Sequence, residues 1–327
     1  MEEMKRKILI CGCTGFIGRN IAELFACRED IEVFGTYHKS TPLEHPRIKM
    51  LKADLTNPID VDRVCNGKDV IIQAAATTSG SKDTVTKPYY HVTDNAVMNA
   101  YIFRTAFESH VSHVIFLSCT TMYQSNDAPI KECDFDANKE MYSSYFGGAW
   151  TKVYNEKICE FYARIGSTKY TVLRHSNMYG PYDKYDLERS HVFGATITKV
   201  LSVHEGGSIV VWGQGDEERD LLHVRDLVDC IALIIEKQES KFELLNVGCG
   251  SSISIKELVN KIIKHSGKKI TIEYDLSKPS IKTKICLDIT KVKDTFGWSP
   301  RILLDDGIRE TLTWRKKAIK NDLALQK

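Results

Sequence analysis

The chain has 327 residues, of which 43% are hydrophobic and 27% are charged, a composition typical of a globular protein with a sizeable core. Its net charge of +2 is too balanced to favour nucleic acid as a partner. No apolar run reaches the roughly 18 residues that cross a bilayer, and the charged start does not resemble a secretory signal, so we expect neither membrane insertion nor export.

The first half of the chain alternates between strand and helix patterns. Short apolar runs predict strands at residues 7–11, 32–36, 69–73, 113–118 and 169–174. Helical spacing of apolar residues predicts helices at residues 16–26, 89–109 and 149–165. This alternation predicts an α/β fold with a doubly wound, parallel, Rossmann-like sheet that binds ligands beyond the carboxyl ends of its strands.

After residue 174 the pattern becomes less regular. Strands are predicted at residues 208–212, 244–248 and 270–274, and helices at residues 191–203, 254–265 and 304–318. These shorter elements predict a smaller, mixed α/β lobe. We therefore divide the chain into a domain of residues 1–174, to which parts of 212–250 return, and a lobe of residues 175–327.

Ten cysteines are scattered along the chain and form no Cys-x-x-Cys pair, which argues against a zinc site. Several lie in apolar runs, where a thiol acts as a small hydrophobic group. This usage is typical of a reducing compartment and predicts a cytoplasmic protein without a metal site.

A glycine motif lies between the first predicted strand and the first predicted helix. Its three glycines would permit a tight turn, a close approach of the backbone to a pyrophosphate, and packing of helix on strand. The start of the helix adds amide donors for phosphate. The alternative is an ordinary turn between strand and helix. The expected cofactor contacts in this loop are Gly12, Thr14, Gly15, Phe16, Ile17 and Gly18.

The end of the second predicted strand indicates which dinucleotide is bound. An NAD site usually has a carboxylate about 20 residues after the glycine motif, where it holds the ribose hydroxyls. Here the stretch contains His38 and Lys39 between hydroxyl residues, and no carboxylate. A cation and hydroxyls suit a 2′-phosphate, which predicts NADP(H) as the cofactor. The alternative is that Lys39 is only a solvated loop residue.

Four more residues complete the expected cofactor site of residues 1–174. Asp54 and Leu55 occupy the place where this kind of sheet commonly contacts the adenine, and the Asp54 carboxylate would accept from its amino group. Ala74 and Ala75 are the small residues that directly follow the strand at 69–73.

Three further motifs extend the pattern over almost the whole chain. They are Ser-Cys-Thr-Thr-Met-Tyr at residues 118–123, Asn-Met-Tyr-Gly-Pro at 177–181, and the block at 211–226 that starts Val-Trp-Gly-Gln-Gly. Together with the glycine motif, they resemble the extended short-chain dehydrogenases/reductases that act on nucleotide sugars. Residues 179–192 are most similar to the GDP-fucose synthase group within that family.

The resemblance implies a function and an assembly. It implies an NADP(H)-dependent reductase that acts on a GDP-linked 4-keto-6-deoxy sugar in nucleotide-sugar biosynthesis, with epimerase activity as a second capability. It also implies a homodimer formed through the two long helices at residues 89–109 and 149–165.

The catalytic positions implied by the resemblance are altered. The family's Tyr-x-x-x-Lys reads Gly148-Ala-Trp-Thr-Lys152 here, so the lysine is kept and the tyrosine is absent. The family's serine or threonine corresponds to Cys119, and its epimerase cysteine corresponds to Thr121. Its epimerase histidine corresponds to His191. Lys152 would still orient the cofactor, but a different group must protonate the product.

Two side chains are candidates for this proton transfer, and a water molecule is the third possibility. The thiol of Cys119 would lie beside Lys152. Tyr145 precedes Lys152 by seven residues and shares its helical face if the helix already includes Tyr145. The alternative for Tyr145 is that it packs near the cofactor as an apolar aromatic group.

The substrate lobe contributes four candidates. Arg219 and Lys199 would meet the diphosphate, since a guanidinium pairs bidentately with phosphate oxygens; surface ion pairs are the alternative. Trp212 would stack on the base or pack within the lobe. Asn177 would contact the substrate or the pyrophosphate.

The sequence leaves two alternatives to the reductase function open. One is a catalytically impaired subunit or sensor that binds NADP and a nucleotide sugar, which the joint loss of three catalytic residue types favours. The retained His191, Asn177 and Arg219 argue against it, because a subunit without chemistry does not need a sugar pocket. The other is a sugar epimerase that uses His191 without net redox change.

Overall fold

The computed structural model describes residues 5–77, 89, 92–188, 190–277 and 284–325. The strands within these ranges are β1 (Arg6–Cys11), β2 (Ile31–Tyr37), β3 (Ile48–Lys52), β4 (Val70–Gln73), β5 (His113–Leu117), β6 (Lys169–His175), β7 (Asn177–Tyr179), β8 (Ser208–Trp212), β9 (Glu218–His223), β10 (Phe242–Val247), β11 (Ser252–Ser254), β12 (Thr271–Asp275) and β13 (Lys284–Ile285). The helices are α1 (Phe16–Ala26), α2 (Pro58–Cys65), α3 (Thr93–Glu108), α4 (Phe146–Ile165), α5 (Val192–Ser202), α6 (Val224–Lys237), α7 (Ile255–Ser266), α8 (Thr290–Phe296) and α9 (Leu304–Leu325).

Seven strands form one parallel sheet in the order β10-β6-β5-β4-β1-β2-β3. The order reverses at β1, with β2 on one side and β4 on the other, so a crevice opens beyond the carboxyl ends of β1 and β4. The predicted doubly wound α/β sheet is confirmed. The fifth predicted strand is β6. Strand β10 extends the sheet beyond it, because every residue of β10 pairs with β6.

Helices cover both faces of the sheet because its strands are apolar on both sides. In β1, Ile8 and Ile10 are fully buried against α1 and α6, while Leu9 is fully buried on the side of α2, α3 and α4. Burying each such side chain contributes about 1.5–3 kcal/mol. Phe103 of α3 packs edge to face on Phe116 of β5, with ring centroids 5.2 Å apart.

A smaller group of strands begins just after the carboxyl end of β6. After one intervening residue the chain forms β7, which pairs with β9, and β9 also pairs with β11 and β13. A separate pair, β8 and β12, lies with α5, α7 and α9 around an apolar cluster that includes Ile197, Leu258, Ile262 and Ile308. The predicted mixed α/β lobe is thus present as local structure, while the division at residue 174 stays a proposal.

Several element boundaries differ from those the sequence predicts. The helix predicted at 149–165 begins earlier, at Phe146. The one predicted at 89–109 is observed as Thr93–Glu108, and residues 90 and 91 lie outside the described part of the chain. Strands β3 and β9 were not predicted, because β3 is short and half-exposed and β9 begins with charged residues, of which Asp220 is buried.

Two kinds of feature are missing from the described residues. None of the helices there is both long and apolar enough to cross a membrane. Nor does any cluster of three or more histidine, cysteine or carboxylate side chains have the arrangement of a metal site within those ranges.

Candidate active site

The glycine motif forms a close-packed turn at the carboxyl end of β1. Gly12 has a φ of +75°, and a Cβ atom there would lie 2.7 Å from the Cα of Ala75 at the end of β4. A Cβ atom on Gly18 would lie 2.3 Å from the carbonyl oxygen of Gly12. Glycine is therefore required at position 12 for the turn and at position 18 for the packing of α1 on it.

The start of α1 is suited to an anion. Gly15 is the N-cap and offers no side-chain cap, and no acidic residue lies in the first turn formed from Phe16 onward. The backbone N–H groups there carry the positive end of the helix dipole. Thr14 and Ser40 approach each other with their hydroxyl oxygens 2.7 Å apart, which joins the loop to the end of β2. A dinucleotide pyrophosphate fits these donors.

The residues after β2 are exposed and lack a carboxylate. His38 and Lys39 are both exposed, and the ring Nε2 of His38 lies 3.7 Å from Oδ2 of Asp54. Oδ1 of Asp54 accepts hydrogen bonds from the backbone N–H and the hydroxyl of Thr56, and these bonds lower the pKa of the Asp54 carboxyl. The neighbouring Leu55 is buried. The stretch thus offers an imidazole, an ammonium group and hydroxyls at the end of β2.

Lys152 points from α4 onto the carboxyl end of β5. Its Nζ donates to the carbonyl oxygen of Leu117 at 2.8 Å and lies 4.8 Å from the centroid of the Phe116 ring. Burial lowers the pKa of the Lys152 ammonium, and the nearby Cys119 and Glu156 act in the opposite direction. The lysine is therefore held within the electrostatic range of Cys119.

Cys119 and Thr121, which follow the end of β5 by two and four residues, form a polar pair. The sulfur of Cys119 lies 3.0 Å from Oγ1 of Thr121, and either group is able to donate. The half-buried Cys119 also packs on an apolar cluster that includes Met122 and Met141. The altered serine and cysteine positions thus interact with each other, beside Lys152.

Gly148 leaves open space where the resemblance places a tyrosine. A Cβ atom at Gly148 would have no atom within 4 Å, whereas one at Gly147 would lie 2.7 Å from Cγ2 of Val92. Packing therefore requires glycine at position 147 and not at position 148. A large side chain at 148 would have room to start from this turn of α4.

Tyr145 lies just before α4, and the condition for its sharing a helical face with Lys152 is not met. It ends a one-turn 3-10 helix, Ser143–Tyr145, and α4 begins at the next residue. Burial is the main influence on Tyr145 and raises its pKa, whereas the charge of Arg219 lowers it. The ring packs in the same cluster as Cys119. Tyr145 therefore packs on the same cluster as Cys119, within electrostatic range of Arg219, and burial makes it a weaker acid.

His191 stands at the head of α5, as its N-cap, with an exposed side chain. Desolvation by the surrounding protein and, secondarily, the charge of Lys184 lower the pKa of its imidazole. The ring is consequently neutral at physiological pH and able to exchange a proton with a ligand.

The four substrate candidates lie on four elements, of which β9, α5 and β8 carry the first three. Arg219 on β9 donates from Nη1 to the carbonyl oxygen of Glu218 at 2.8 Å, and burial lowers its pKa. Lys199 on α5 donates to the carbonyl oxygen of Val210 at 2.7 Å. Trp212 is 52% exposed at the end of β8.

The fourth candidate, Asn177, starts β7. Its Nδ2 donates to the backbone carbonyl of Asp220 at 3.3 Å, across the two paired strands. Asn177 is thus tied to β9, the strand that carries Arg219.

The sequence interpretation missed a buried charged network below Lys152. Nη2 of Arg174 lies 2.6 Å from Oε2 of Glu156, and the hydroxyl of Ser118 donates to Oε1 of the same carboxylate at 2.5 Å. Nη1 of Arg174 also donates to the hydroxyl oxygen of Tyr123 at 2.9 Å. The sequence pattern that could have indicated this network is Glu156 among the apolar residues of a predicted helix and Arg174 at the end of a predicted buried strand. The network fixes both ends of the segment that contains Cys119.

The sequence interpretation also missed His175. It ends β6, and burial lowers the pKa of its imidazole to about 4, with the charges of Lys152 and His191 acting in the same direction. It therefore lies within electrostatic range of both candidate catalytic residues. A polar residue at the carboxyl end of a parallel strand was the available signal.

Comparisons with known proteins identify the family of this chain. The family described as the NAD dependent epimerase/dehydratase family matches residues 8–248. GDP-L-fucose synthase of Azorhizobium caulinodans is 30% identical over 319 residues, covering 94% of this chain and 95% of that protein. GDP-L-colitose synthase of Yersinia pseudotuberculosis is 28% identical over 320 residues, covering 97% of this chain and 100% of that protein.

Solved structures show the same fold. UDP-glucose 4-epimerase of Thermotoga maritima superimposes with a TM-score of 0.85 at 23% identity, covering 96% of this chain and 99% of that one. The resemblance stated from the sequence motifs is confirmed by the match to the family and by these relatives. Because the family match extends over well more than half of the chain, this protein belongs to the NAD dependent epimerase/dehydratase family, the extended short-chain dehydrogenases/reductases.

Proposed function

We propose that this protein is an NADP(H)-dependent reductase that acts on a GDP-linked 4-keto-6-deoxy sugar. The observation that carries the proposal is the contact group of Lys152, Cys119 and Thr121 at the carboxyl end of β5, in the same sheet edge as the glycine turn. The names of the similar GDP-L-fucose and GDP-L-colitose synthases support a GDP-linked substrate.

The cofactor preference rests on the end of β2. The exposed Lys39 and His38, with Ser40 beside Thr14, provide a cation, an imidazole and hydroxyls where a 2′-phosphate would lie. A ribose 2′-hydroxyl would find no carboxylate acceptor within residues 38–40. Bound NADPH supplies the hydride for the carbonyl carbon of the sugar.

The proton for the reduced oxygen comes from Cys119 in this proposal. As the C4 oxygen gains negative charge, the thiol transfers its proton to that oxygen, and the resulting thiolate is stabilised by the ammonium of Lys152. Thr121 stabilises the same thiolate by donating its hydroxyl hydrogen across the 3.0 Å contact. Solvent then returns a proton to the sulfur. Tyr145 is the less suitable donor because burial raises its pKa.

His191 and the substrate candidates would hold the rest of the ligand. His191 faces the sugar in this proposal, where its neutral imidazole would serve an epimerisation step. Arg219 and Lys199 would meet the diphosphate, Asn177 the sugar or pyrophosphate, and Trp212 the base. Asp54, Ala74 and Ala75 would line the cofactor.

The function is tested by measuring NADPH oxidation with GDP-4-keto-6-deoxymannose and identifying the sugar product by NMR. We expect a reduced sugar, with NADPH preferred to NADH. Cys119→Ala should lower the rate at least tenfold, whereas Cys119→Ser, which restores a hydroxyl donor, should keep most of it. Wild-type reduction that is equally fast in the alanine variant would exclude Cys119 as the proton donor.

The same assay separates the two alternatives. Interconversion of sugars without net loss of NADPH would favour the non-redox epimerase that uses His191. Tight binding of NADPH and of the nucleotide sugar with neither reaction would favour the binding subunit or sensor.

We also propose a homodimer in the cytoplasm. Helix α4 exposes an apolar stripe of four residues that lie on one helical face by their spacing: Phe146, Tyr154, Phe161 and Ile165. All ten cysteines are unpaired, in keeping with a reducing compartment.

A further inference from the structure

His175 leaves the sheet beside Cys119. Strands β5 and β6 are parallel neighbours, and Leu117 pairs with Leu173. Cys119 and His175 each follow that pair by two residues. Because neighbouring strands lie about 4.8 Å apart, these two residues reach the same edge of the sheet next to each other.

The hydrogen bond of His175 determines its tautomer. Nδ1 lies 2.8 Å from the carbonyl oxygen of Ser176. A carbonyl oxygen only accepts, so Nδ1 carries the hydrogen atom, and Nε2 of the neutral ring keeps its lone pair. Within the described ranges, no hydrogen bond reaches Nε2, and this atom is not among the buried polar atoms that lack a partner. The lone pair is therefore accessible to a ligand.

The surroundings keep the ring neutral. Burial lowers the pKa of the imidazole to about 4, and the positive charge of Lys152 on α4 acts in the same direction, as does that of His191 at the head of α5 when its ring is protonated. At neutral pH the Nε2 atom is consequently a hydrogen-bond acceptor. It is too weak a base to take a proton from carbon.

The neighbouring polar groups only donate or are already bonded to each other. The ammonium of Lys152 only donates, and Cys119 and Thr121 bond to each other. A sugar in front of Cys119 presents hydroxyl groups, each of which has a hydrogen to donate. Because Nε2 of His175 only accepts, it would favour those orientations of the sugar ring that point a hydroxyl group toward it.

We propose that Nε2 of His175 accepts a hydrogen bond from a hydroxyl group of the bound sugar and thereby positions its ring in front of Cys119 and Lys152. This inference rests on the proposed function only in taking a nucleotide sugar as the ligand.

The first test needs no ligand. Nitrogen-15 NMR of histidine side chains, with His175 assigned through a His175→Gln variant, reports which ring nitrogen carries hydrogen. We expect the Nδ1–H tautomer at neutral pH and no protonation above about pH 5. An Nε2–H tautomer, or a protonated ring at neutral pH, would overturn the proposal.

The second test compares two substitutions. The amide of His175→Asn reaches the place of Nδ1 and keeps the bond to Ser176 without an acceptor at Nε2, whereas His175→Gln brings an amide oxygen to the place of Nε2. We expect the asparagine variant to weaken binding of GDP-4-keto-6-deoxymannose about tenfold and the glutamine variant less than threefold. Affinity for GDP alone and for NADPH should change in neither.

Equal losses in both variants, or a loss for GDP or NADPH, would contradict a contact with the sugar. The wild-type Nε2 resonance is also followed with GDP- and UDP-linked sugars. A shift caused only by a UDP-linked sugar would reject the proposed substrate and support the role of His175. The absence of a shift with every sugar nucleotide would reject that role.

Discussion

Arg174 and Glu156 form a buried ion pair, with Nη2 of the arginine 2.6 Å from Oε2 of the glutamate and side-chain exposures of 3% and 5%. The same carboxylate accepts from Ser118, the residue before Cys119. Removing one partner leaves the other as an uncompensated buried charge, which costs about 3–5 kcal/mol. We expect Glu156→Gln to lower the free energy of unfolding by about this amount in urea titrations.

The matched control lies on the same helix. Glu160→Gln removes the charge that pairs with the exposed Lys157 and Arg164, and it should cost less than about 1 kcal/mol. The double variant Glu156→Leu with Arg174→Met should be more stable than Glu156→Gln alone, because no unpaired charge is left. Equal stability of the two glutamine variants would show that the buried pair is not a stabilising unit.

Gly148 offers a gain-of-function test, because a Cβ atom there contacts nothing within 4 Å. Gly148→Tyr would place a phenol one helical turn before Lys152, where it would protonate the product in place of Cys119. We expect NADPH oxidation with the keto sugar to rise at least tenfold. Gly148→Phe has the same bulk without the hydroxyl and should show no rise.

Both substitutions also replace a helical glycine, so each should raise the free energy of unfolding by a few tenths of a kcal/mol. An equal change of rate in the two variants would attribute the effect to helix stability or pocket shape and exclude proton donation by the tyrosine.

Lys39 provides the test of cofactor choice. Because its ammonium is proposed to meet the 2′-phosphate, Lys39→Glu should weaken NADPH binding at least tenfold and leave NADH binding unchanged or stronger. Isothermal titration calorimetry with each cofactor measures both effects. Lys264→Glu makes the same charge change at an exposed site on α7 and should alter neither affinity. An equal loss for both cofactors in Lys39→Glu would contradict contact with the 2′-phosphate.

The Rossmann-like sheet was predictable because its strands are apolar runs on a regular spacing, and Gly12 and Gly18 have local roles that their spacing already indicates. The boundary at Phe146 was not predictable in the same way. The glycines at 147 and 148 weaken the helical pattern, and their place in α4 depends on tertiary contacts such as that of Gly147 with Val92.

The candidate site shows a second limit of the sequence. The motif comparison located Lys152 and Cys119, but their neighbour His175 depends on the register of β5 against β6, which aligns Leu117 with Leu173. Partners that are distant in sequence, such as Glu156 and Arg174, likewise meet only through folding. The bond from the ammonium of Lys199 to the carbonyl of Val210 also depends on folding, and the contact of Lys199 with a diphosphate stays a prediction.

The buried His113 is expected to make the fold less stable at acidic pH. Its Nε2 lies 2.7 Å from the hydroxyl oxygen of Thr171, which in turn bonds to Gln238. Burial, aided by the charge of Lys169, lowers the pKa of His113 to about 3, below the unfolded value of about 6.5. Between these values the unfolded chain binds a proton that the folded chain does not, so stability falls as the pH falls.

At about pH 5 this proton costs about 2 kcal/mol of stability relative to neutral pH. His113→Gln keeps a donor near Nε2 and cannot titrate. We therefore expect the stability of the wild type relative to the variant to fall by about 2 kcal/mol between neutral pH and about pH 5, as measured by urea unfolding. A pH-independent difference between the two proteins would contradict the lowered pKa.

The apolar stripe on α4 predicts how the dimer is disrupted. Phe161 is 55% exposed in the single chain and lies near the middle of the stripe between Tyr154 and Ile165. A glutamate there would be desolvated without a partner in an interface between two copies of the helix. We expect the wild type to sediment with twice the chain mass of 37.1 kDa, and Phe161→Glu with the mass of one chain. Leu303→Glu, at a site 70% exposed outside α4, should remain dimeric. A wild-type monomer at all concentrations, or a dimer that persists in Phe161→Glu, would rule out this helix face as the interface.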